Sequence, residues 1–348
     1  MPTDRARGTL QEAKATVDVS TQSRFGLALT LGLGGCAWDG PMSTVAPGSD
    51  YAREILHVYG IITWIAAGIA LVVGLALAWI VARFRARPGT TALPPQIRGH
   101  TLLELSWTIA PAIVLLVIAI PTIQVIFRTQ AGPPRDALEV RVLGHQWWWE
   151  FRYPGLEVVT ANELHVPAGQ PVTLTLDGPD VIHSFWVPRL GGKRDVVPGR
   201  LNRLTFTAES PGDYRGQCAE FCGASHANMG MHVVVDPPDA FARWVGAQKA
   251  EPAEPAAGPA ADGKAIFARS ACVGCHTIRG VSSGALGPDL TTFGSRGTLA
   301  AGILPVTVAT VAAWVKDPAR IKPDAKMPAL GLTDEQARTV ATYLIGLK

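Results

Sequence analysis

Along the 348 residues the apolar positions fall into three regimes. From His57 to Ala82 there are 26 consecutive positions without a charged side chain, and from Leu105 to Phe127 another 23. A helix needs about 20 apolar residues to cross the hydrocarbon core of a bilayer, so this pattern predicts a two-helix transmembrane hairpin within residues 50–130. Residues 137–236 then change to short runs of alternating apolar and polar positions, as in Leu138-Glu-Val-Arg-Val-Leu-Gly and Val172-Thr-Leu-Thr-Leu, separated by turn residues. A period of two in short runs predicts an antiparallel β-sandwich. In residues 262–348 the pattern becomes helical. One amphipathic helix is expected over Gly263 to Ser270. A second, carrying Trp314 as a core residue, runs from Thr307 to Lys316 and closes before Pro318. The last begins at Thr333, a capping residue followed by acids in the first turn. Residues 250–261 form a Pro/Ala linker, semi-rigid and able to reach roughly 35 Å at about 3.1 Å per residue, which is expected to let the helical domain swing.

Charge adds an orientation. Arg83, Arg85, Arg87 and Arg98 lie in and beside the segment between the two apolar helices, with no acidic residue among them. Loops biased toward Lys and Arg stay in the cytoplasm, so the long flanks are expected outside, on the periplasmic face of a bacterial inner membrane. The net charge of +3 is partly this topological signal, and no nucleic-acid partner is expected. Residues 1–36 read as a signal peptide, with an apolar stretch from Phe25 to Gly35 after Arg24. Leu33-Gly-Gly-Cys36 is similar to a lipoprotein cleavage motif, which would make Cys36 a lipidated first residue; plain cleavage or a retained thiol are the alternatives.

The chemistry is concentrated in two places. The run Cys218-Ala-Glu220-Phe-Cys222-Gly-Ala-Ser-His226-Ala-Asn-Met229, with His183 upstream, gathers thiolates, imidazoles and a thioether. Such soft donors select copper, and two cysteines can bridge two metal ions. The competing reading is a Cys218–Cys222 disulfide with His226 and Met229 as loop residues. Met231 is a second methionine nearby. Further on, Cys272-Val-Gly-Cys275-His276 is a haem c attachment pattern, in which two thiols bond the haem and the histidine ligates iron. Met327 is the only methionine after His276, hence the one thioether available as distal ligand. Nearer the membrane, Glu104 stands at the start of the second apolar helix, where it is either a functional acid or an N-terminal helix acid. Gly144-His145-Gln146-Trp147-Trp148-Trp149 is an aromatic cluster.

The copper run resembles the CuA loop of subunit II of the haem-copper cytochrome c oxidases, and residues 262–346 are similar to small bacterial cytochrome c domains through Gly287-Pro288-Asp289-Leu290 and Lys326-Met327-Pro328. The resemblance implies a cupredoxin fold for the sandwich and an all-α cytochrome c domain after it. It implies that Cys218 and Cys222 bridge two coppers, that His183 and His226 cap one each, that Met229 is a weak ligand, and that Glu220 lends its carbonyl. It further gives Glu220 a magnesium ion at the boundary with the catalytic subunit, Trp147 the electron's entry point, Pro288 a carbonyl that steadies His276, and Glu104 the mouth of a proton path. Many members carry tyrosine where this chain has Trp148. The expected partners are oxidase subunits I and III, with a soluble cytochrome c or the quinol-cytochrome c reductase as donor. The expected role is the electron-entry subunit of a proton-pumping terminal oxidase. The rivals are the same subunit in a CuA-type nitric oxide reductase, favoured less because of Glu104, and a periplasmic copper carrier, which would gain nothing from covalent haem.

Overall fold

The computed structural model describes residues 39–85, 89, 96 and 98–348. Residues 1–36, with Cys36 and its lipidation motif, and Arg87 of the basic loop lie outside the described residues. Helix α1 spans Asp50–Phe84 and α2 spans Thr101–Thr129, each longer than the charge-free stretch inside it. The extra turns of α1 have a cause. Ser49 caps the helix by accepting from the Ala52 amide and donates its own hydroxyl to the Leu190 carbonyl at 2.7 Å, so the helix starts inside the β-domain. Asp50 accepts from the Thr207 amide at 2.7 Å, and Arg53 pairs with Glu209. Below this anchored end the side chains of both helices are almost all exposed, as expected of surfaces that meet lipid. Pro111 and Pro121 sit inside α2, a position tolerated in membrane helices.

The β-domain holds ten strands: β1 (Leu138–His145), β2 (Trp148–Tyr153), β3 (Val158–Ala161), β4 (Glu163–Pro167), β5 (Pro171–Asp177), β6 (His183–Trp186), β7 (Arg194–Val196), β8 (Asn202–Thr207), β9 (Gly212–Cys218) and β10 (Gly230–Asp236). They form two five-stranded sheets, β3-β2-β1-β5-β8 and β4-β10-β9-β6-β7, packed over a core that includes Trp149, Phe151, Leu174, Phe185 and Phe206. The sandwich is not wholly antiparallel as the alternation suggests: β1 pairs with β5, and β4 with β10, in parallel. Alternation reports which face is buried and carries no strand direction.

An unforeseen helix, α3 (Pro238–Lys249), follows β10 and packs Trp244 flat on His165 with ring centroids 4.4 Å apart. The C-terminal domain comprises α4 (Pro259–Arg269), the short turn α5 (Cys272–Cys275), α6 (Val308–Lys316), α7 (Pro318–Ile321) and α8 (Asp334–Gly346) around one core, with four two-residue strands between them. Helix α4 begins inside the stretch expected to be linker. Thr333 caps α8 in a capping box with Gln336, and Thr307 caps α6. Trp314 is partly buried against the core.

The helical domain does not stand apart. Arg279 donates to the carbonyls of Gln248, Lys249 and Ala250 at the end of α3, and Thr292 donates to the Gln248 side chain at 2.7 Å. These bonds satisfy carbonyls that a helix end leaves unpaired, and they pin the near end of the linker to the domain it was expected to free.

Candidate redox sites and the wall between them

The first site is made where β6, β9 and the loop after β9 meet. Cys218 closes β9, and the loop turns through a 3₁₀ segment, His226–Asn228, before β10. Cys218 Sγ lies 3.8 Å from Cys222 Sγ, 3.9 Å from His183 Nδ1 and 3.3 Å from the Glu220 carbonyl oxygen. Cys222 Sγ lies 3.6 Å from His226 Nδ1 and 3.9 Å from Met229 Sδ. All six residues singled out from the sequence thus face one small space, and His183 and Met229 are fully buried. A disulfide needs sulfurs about 2.05 Å apart, so the two thiols, free in the structure, are not bonded to each other. Met231 is turned into the sandwich core, against the backbone of Gly216. The Glu220 and Phe221 side chains are exposed on the outer rim of the loop.

Charge within the pocket is unbalanced in a way that suits a cation. Accepting a hydrogen bond from Cys222 draws the Cys218 thiol down to about 3, while that same bond and burial push the Cys222 thiol up. Negative charge is thus favoured on the Cys218 sulfur, beside the His183 ring, whose pKa is raised against burial by its bonds to Asp180 and Cys218. Asp180, which sequence reasoning missed although it stands three residues before His183, accepts from His183 Nε2 at 2.9 Å, the Val181 amide at 2.6 Å and the Gln146 amide at 2.7 Å. Burial alone would oppose its ionisation, yet those bonds hold its carboxyl below the usual carboxylate range. By binding Nε2 it fixes the ring so that Nδ1 faces Cys218, the outer support that metal-binding histidines commonly have. Gly144 is required for the fit: a Cβ there would lie 2.9 Å from His183 Cδ2. The donor set therefore fits copper.

The second site is a cavity of about 420 Å³ in the helical domain. Cys272, Cys275, His276 and Met327 line it, together with apolar residues such as Phe267 and Val340. His276 donates Nδ1–H to the Pro288 carbonyl at 2.8 Å, which leaves Nε2 free of that bond. Burial holds the ring's pKa below the ordinary value, keeping it neutral as a ligand must be. Gly287 packs against this ring, where a Cβ would come 2.6 Å from Cε1. Two free thiols, a neutral imidazole and a thioether on an apolar cavity fit a covalently held haem.

Part of the cavity wall belongs to the β-domain. Gln146, Trp147, Trp148 and Asn162 all line it. Trp147 is 4% exposed and donates its indole Nε1–H to the Cys222 carbonyl at 3.0 Å. Its own carbonyl accepts from Lys322 Nζ of the helical domain at 2.5 Å, and Lys326 Nζ lies over its ring, 5.3 Å from the centroid. Trp148 stacks on His145 with centroids 4.2 Å apart. Glu104 is remote from both pockets; its carboxylate accepts from the His100 amide at 3.2 Å, closing the first turn of α2.

Three stretches of the chain match known families: residues 43–125 the cytochrome c oxidase subunit II transmembrane domain, 156–236 the periplasmic domain of the same subunit, and 260–348 cytochrome c. The chain is 35% identical to cytochrome c oxidase subunit 2 of Alkalihalophilus pseudofirmus over 92% of its own length and 95% of that protein. It is 33% identical to cytochrome c oxidase subunit 2 of Bacillus subtilis over 88% and 92%. Among solved structures, the periplasmic domain of cytochrome oxidase subunit II of Bradyrhizobium japonicum is 34% identical, covering 34% of this chain and 97% of that one with a TM-score of 0.33. The chain belongs to the cytochrome c oxidase subunit II family, in the form that carries a cytochrome c domain at its C-terminus. It is a membrane-anchored part of a haem-copper oxidase complex, working with subunit I, and its two domains imply copper and haem c.

Proposed function

We propose that this chain is the electron-entry subunit of a proton-pumping terminal oxidase, taking electrons from a soluble cytochrome c or the quinol-cytochrome c reductase and handing them to subunit I, where oxygen becomes water. Haem c and a dinuclear CuA centre, when bound, supply one-electron redox chemistry, and the protein sets their positions and surroundings. Cys272 and Cys275 would hold the haem, with His276 and Met327 on its iron. Cys218 and Cys222 would bridge two coppers, with His183, His226, Met229 and the Glu220 carbonyl around them. The observation that carries this reading is Trp147, which touches both pockets: its indole N–H is on the Cys222 carbonyl and its residue lines the haem cavity. A rigid sandwich suits such a site, because ligands that stay still as charge changes keep the reorganisation cost low.

The finer assignments follow from the resemblance. The exposed Glu220 side chain would meet a magnesium ion at the boundary with subunit I, and subunit III would complete the complex. Both domains would lie on the periplasmic side, since the arginines between α1 and α2 favour the cytoplasm. Glu104, near that inner end, would guard a proton path. Membership in the oxidase subunit family supports this role over a copper carrier. The test is electron paramagnetic resonance of the full chain in detergent, with haem attached and copper added. Hyperfine structure from one electron shared equally by two coppers is expected; a single-copper signal would overturn the dinuclear site.

A further inference from the structure

Buried polar side chains join the β-domain to the haem domain. Glu163, on β4, is 7% exposed and its carboxylate has no hydrogen-bond donor from its own domain among the described residues. It accepts instead from the Gly297 amide at 3.2 Å, the Thr298 amide at 2.8 Å and the Thr298 hydroxyl at 2.8 Å. Covering a carboxylate removes its water, and here the three donors that replace that water all come from the helical domain, so the docked arrangement leaves the charge hydrogen-bonded. Lys322, 4% exposed, reaches the other way and donates to the Trp147 carbonyl at 2.5 Å and to Ala300 of its own domain at 3.1 Å. Two further hydrogen bonds cross the same boundary. Ser225, inside the copper loop, donates to the Pro323 carbonyl at 2.5 Å, and the Gly230 amide donates to the Ala301 carbonyl at 3.1 Å.

We propose that Glu163 and Lys322 are positioning residues that clasp the haem domain permanently onto the copper domain, making it the standing occupant of the Trp147 face. This rests on the relay reading above and adds how the relay is held. Haem c and the copper pair, when bound, would supply a balanced one-electron exchange, and Glu163 and Lys322 would hold the two domains so that no domain motion intervenes.

The test uses the full holo-chain in detergent. The primary variant is Glu163→Ala, and Lys322→Met is a second, on the opposite side of the contact, should the first fold poorly. Hydrogen exchange reads the amides of Gly297, Thr298 and Gly230, and flash reduction of the haem reads transfer to copper at several solvent viscosities. In the wild type these amides are expected to be protected and the transfer rate to be independent of viscosity. Either variant should raise exchange at 297–298 by at least tenfold and slow transfer by about tenfold, with the slower rate now falling as viscosity rises. Unprotected amides in the wild type, or a wild-type rate that already tracks viscosity, would overturn the clasp. Protected amides together with no transfer at all would overturn the relay and leave the clasp standing.

Discussion

In the proposed copper pocket the donor atoms already lie 3.3–3.9 Å from the neighbours that would share the metal, whereas the haem pocket is about 420 Å³ of space whose walls come mainly from α4, α5, α6, α8 and the loops between them, with Gln146, Trp147, Trp148 and Asn162 of the β-domain closing one part. The first is built into a β-sandwich core, from Val140 to Val235, that counts Cys218, Cys222 and Met229 among its buried residues but takes its bulk from side chains such as Trp149, Phe151 and Phe206 that offer no metal donor. The second lies at the middle of its domain, so that Phe267, Phe293, Leu299 and Val340 belong at once to the core and to the cavity wall. A site that takes a few positions of a scaffold and a site that fills its scaffold's centre should fail differently, and this can be measured.

The largest effect is expected from removing the haem. With Cys272→Ser and Cys275→Ser together, no covalent haem can form. At about 24 cal/mol per Å³, an enclosed void of 420 Å³ would cost on the order of 10 kcal/mol, comparable to the whole stability of a small domain. This cavity is partly open, so that figure is an upper bound, yet the helical domain should lose its cooperative unfolding transition while the β-domain keeps its own. Calorimetry of the full chain with and without the two cysteines checks this. Two intact transitions in the variant would erase the contrast between the pockets.

Next comes the copper side. Gly144→Ala puts a methyl group 2.9 Å from His183 Cδ2, and His183, at 0% exposure, has no room to retreat. Overpacking of this kind costs about 1–3 kcal/mol. The copper spectrum should be lost or changed to that of an altered site while the sandwich remains folded. Smaller again is Asp180→Asn, which leaves His183 in place with a weaker partner and removes a charge. A lost outer partner of this kind lowers metal affinity about 10–100-fold. Competition with a chelator of known affinity reads it, and an unchanged affinity would mean that Asp180 does not orient the ring.

The same contrast explains what could be read from residues alone. The copper donors lie within twelve positions of one loop apart from His183, and the haem attachment within five, so spacing exposes both. Helix α8 was legible from Thr333 and its acids. The clasp was not: Glu163 meets Thr298 across 135 positions and Lys322 meets Trp147 across 175, and a lone buried acid or lysine carries no periodic signature. For the same reason α1 starts earlier than its charge-free stretch, because its first turns answer to Leu190, Thr207 and Glu209 of the sandwich. The parallel pairings of β1 with β5 and β4 with β10 arise from chain crossings between the sheets, which alternation cannot encode.

The smallest effect tests how far the sandwich is independent of its cofactors. Glu150, on β2 and 6% exposed, accepts from His145 Nε2 at 3.2 Å and is bonded by Arg152. Burial works against its ionisation, but the hydrogen bonds and charge of these partners outweigh it and hold the carboxyl below its ordinary 4.5. A depressed pKa in the folded state means that the unfolded chain takes up the proton first as acid is added. The stabilisation is therefore full above the ordinary carboxylate value and is lost as pH falls through the folded one. Glu150→Gln removes the titrating group, so the variant should be about 1 kcal/mol less stable near pH 7, and the difference should shrink toward pH 3. Thermal midpoints of the β-domain, followed separately from the haem absorbance, give the two curves. Because Glu150 is in the sandwich and Trp148 stacks on its partner His145, convergence in the β-domain alone fits a self-sufficient scaffold. Convergence that appears in the haem transition as well would mean that the cavity wall carries acid sensitivity from one domain into the other.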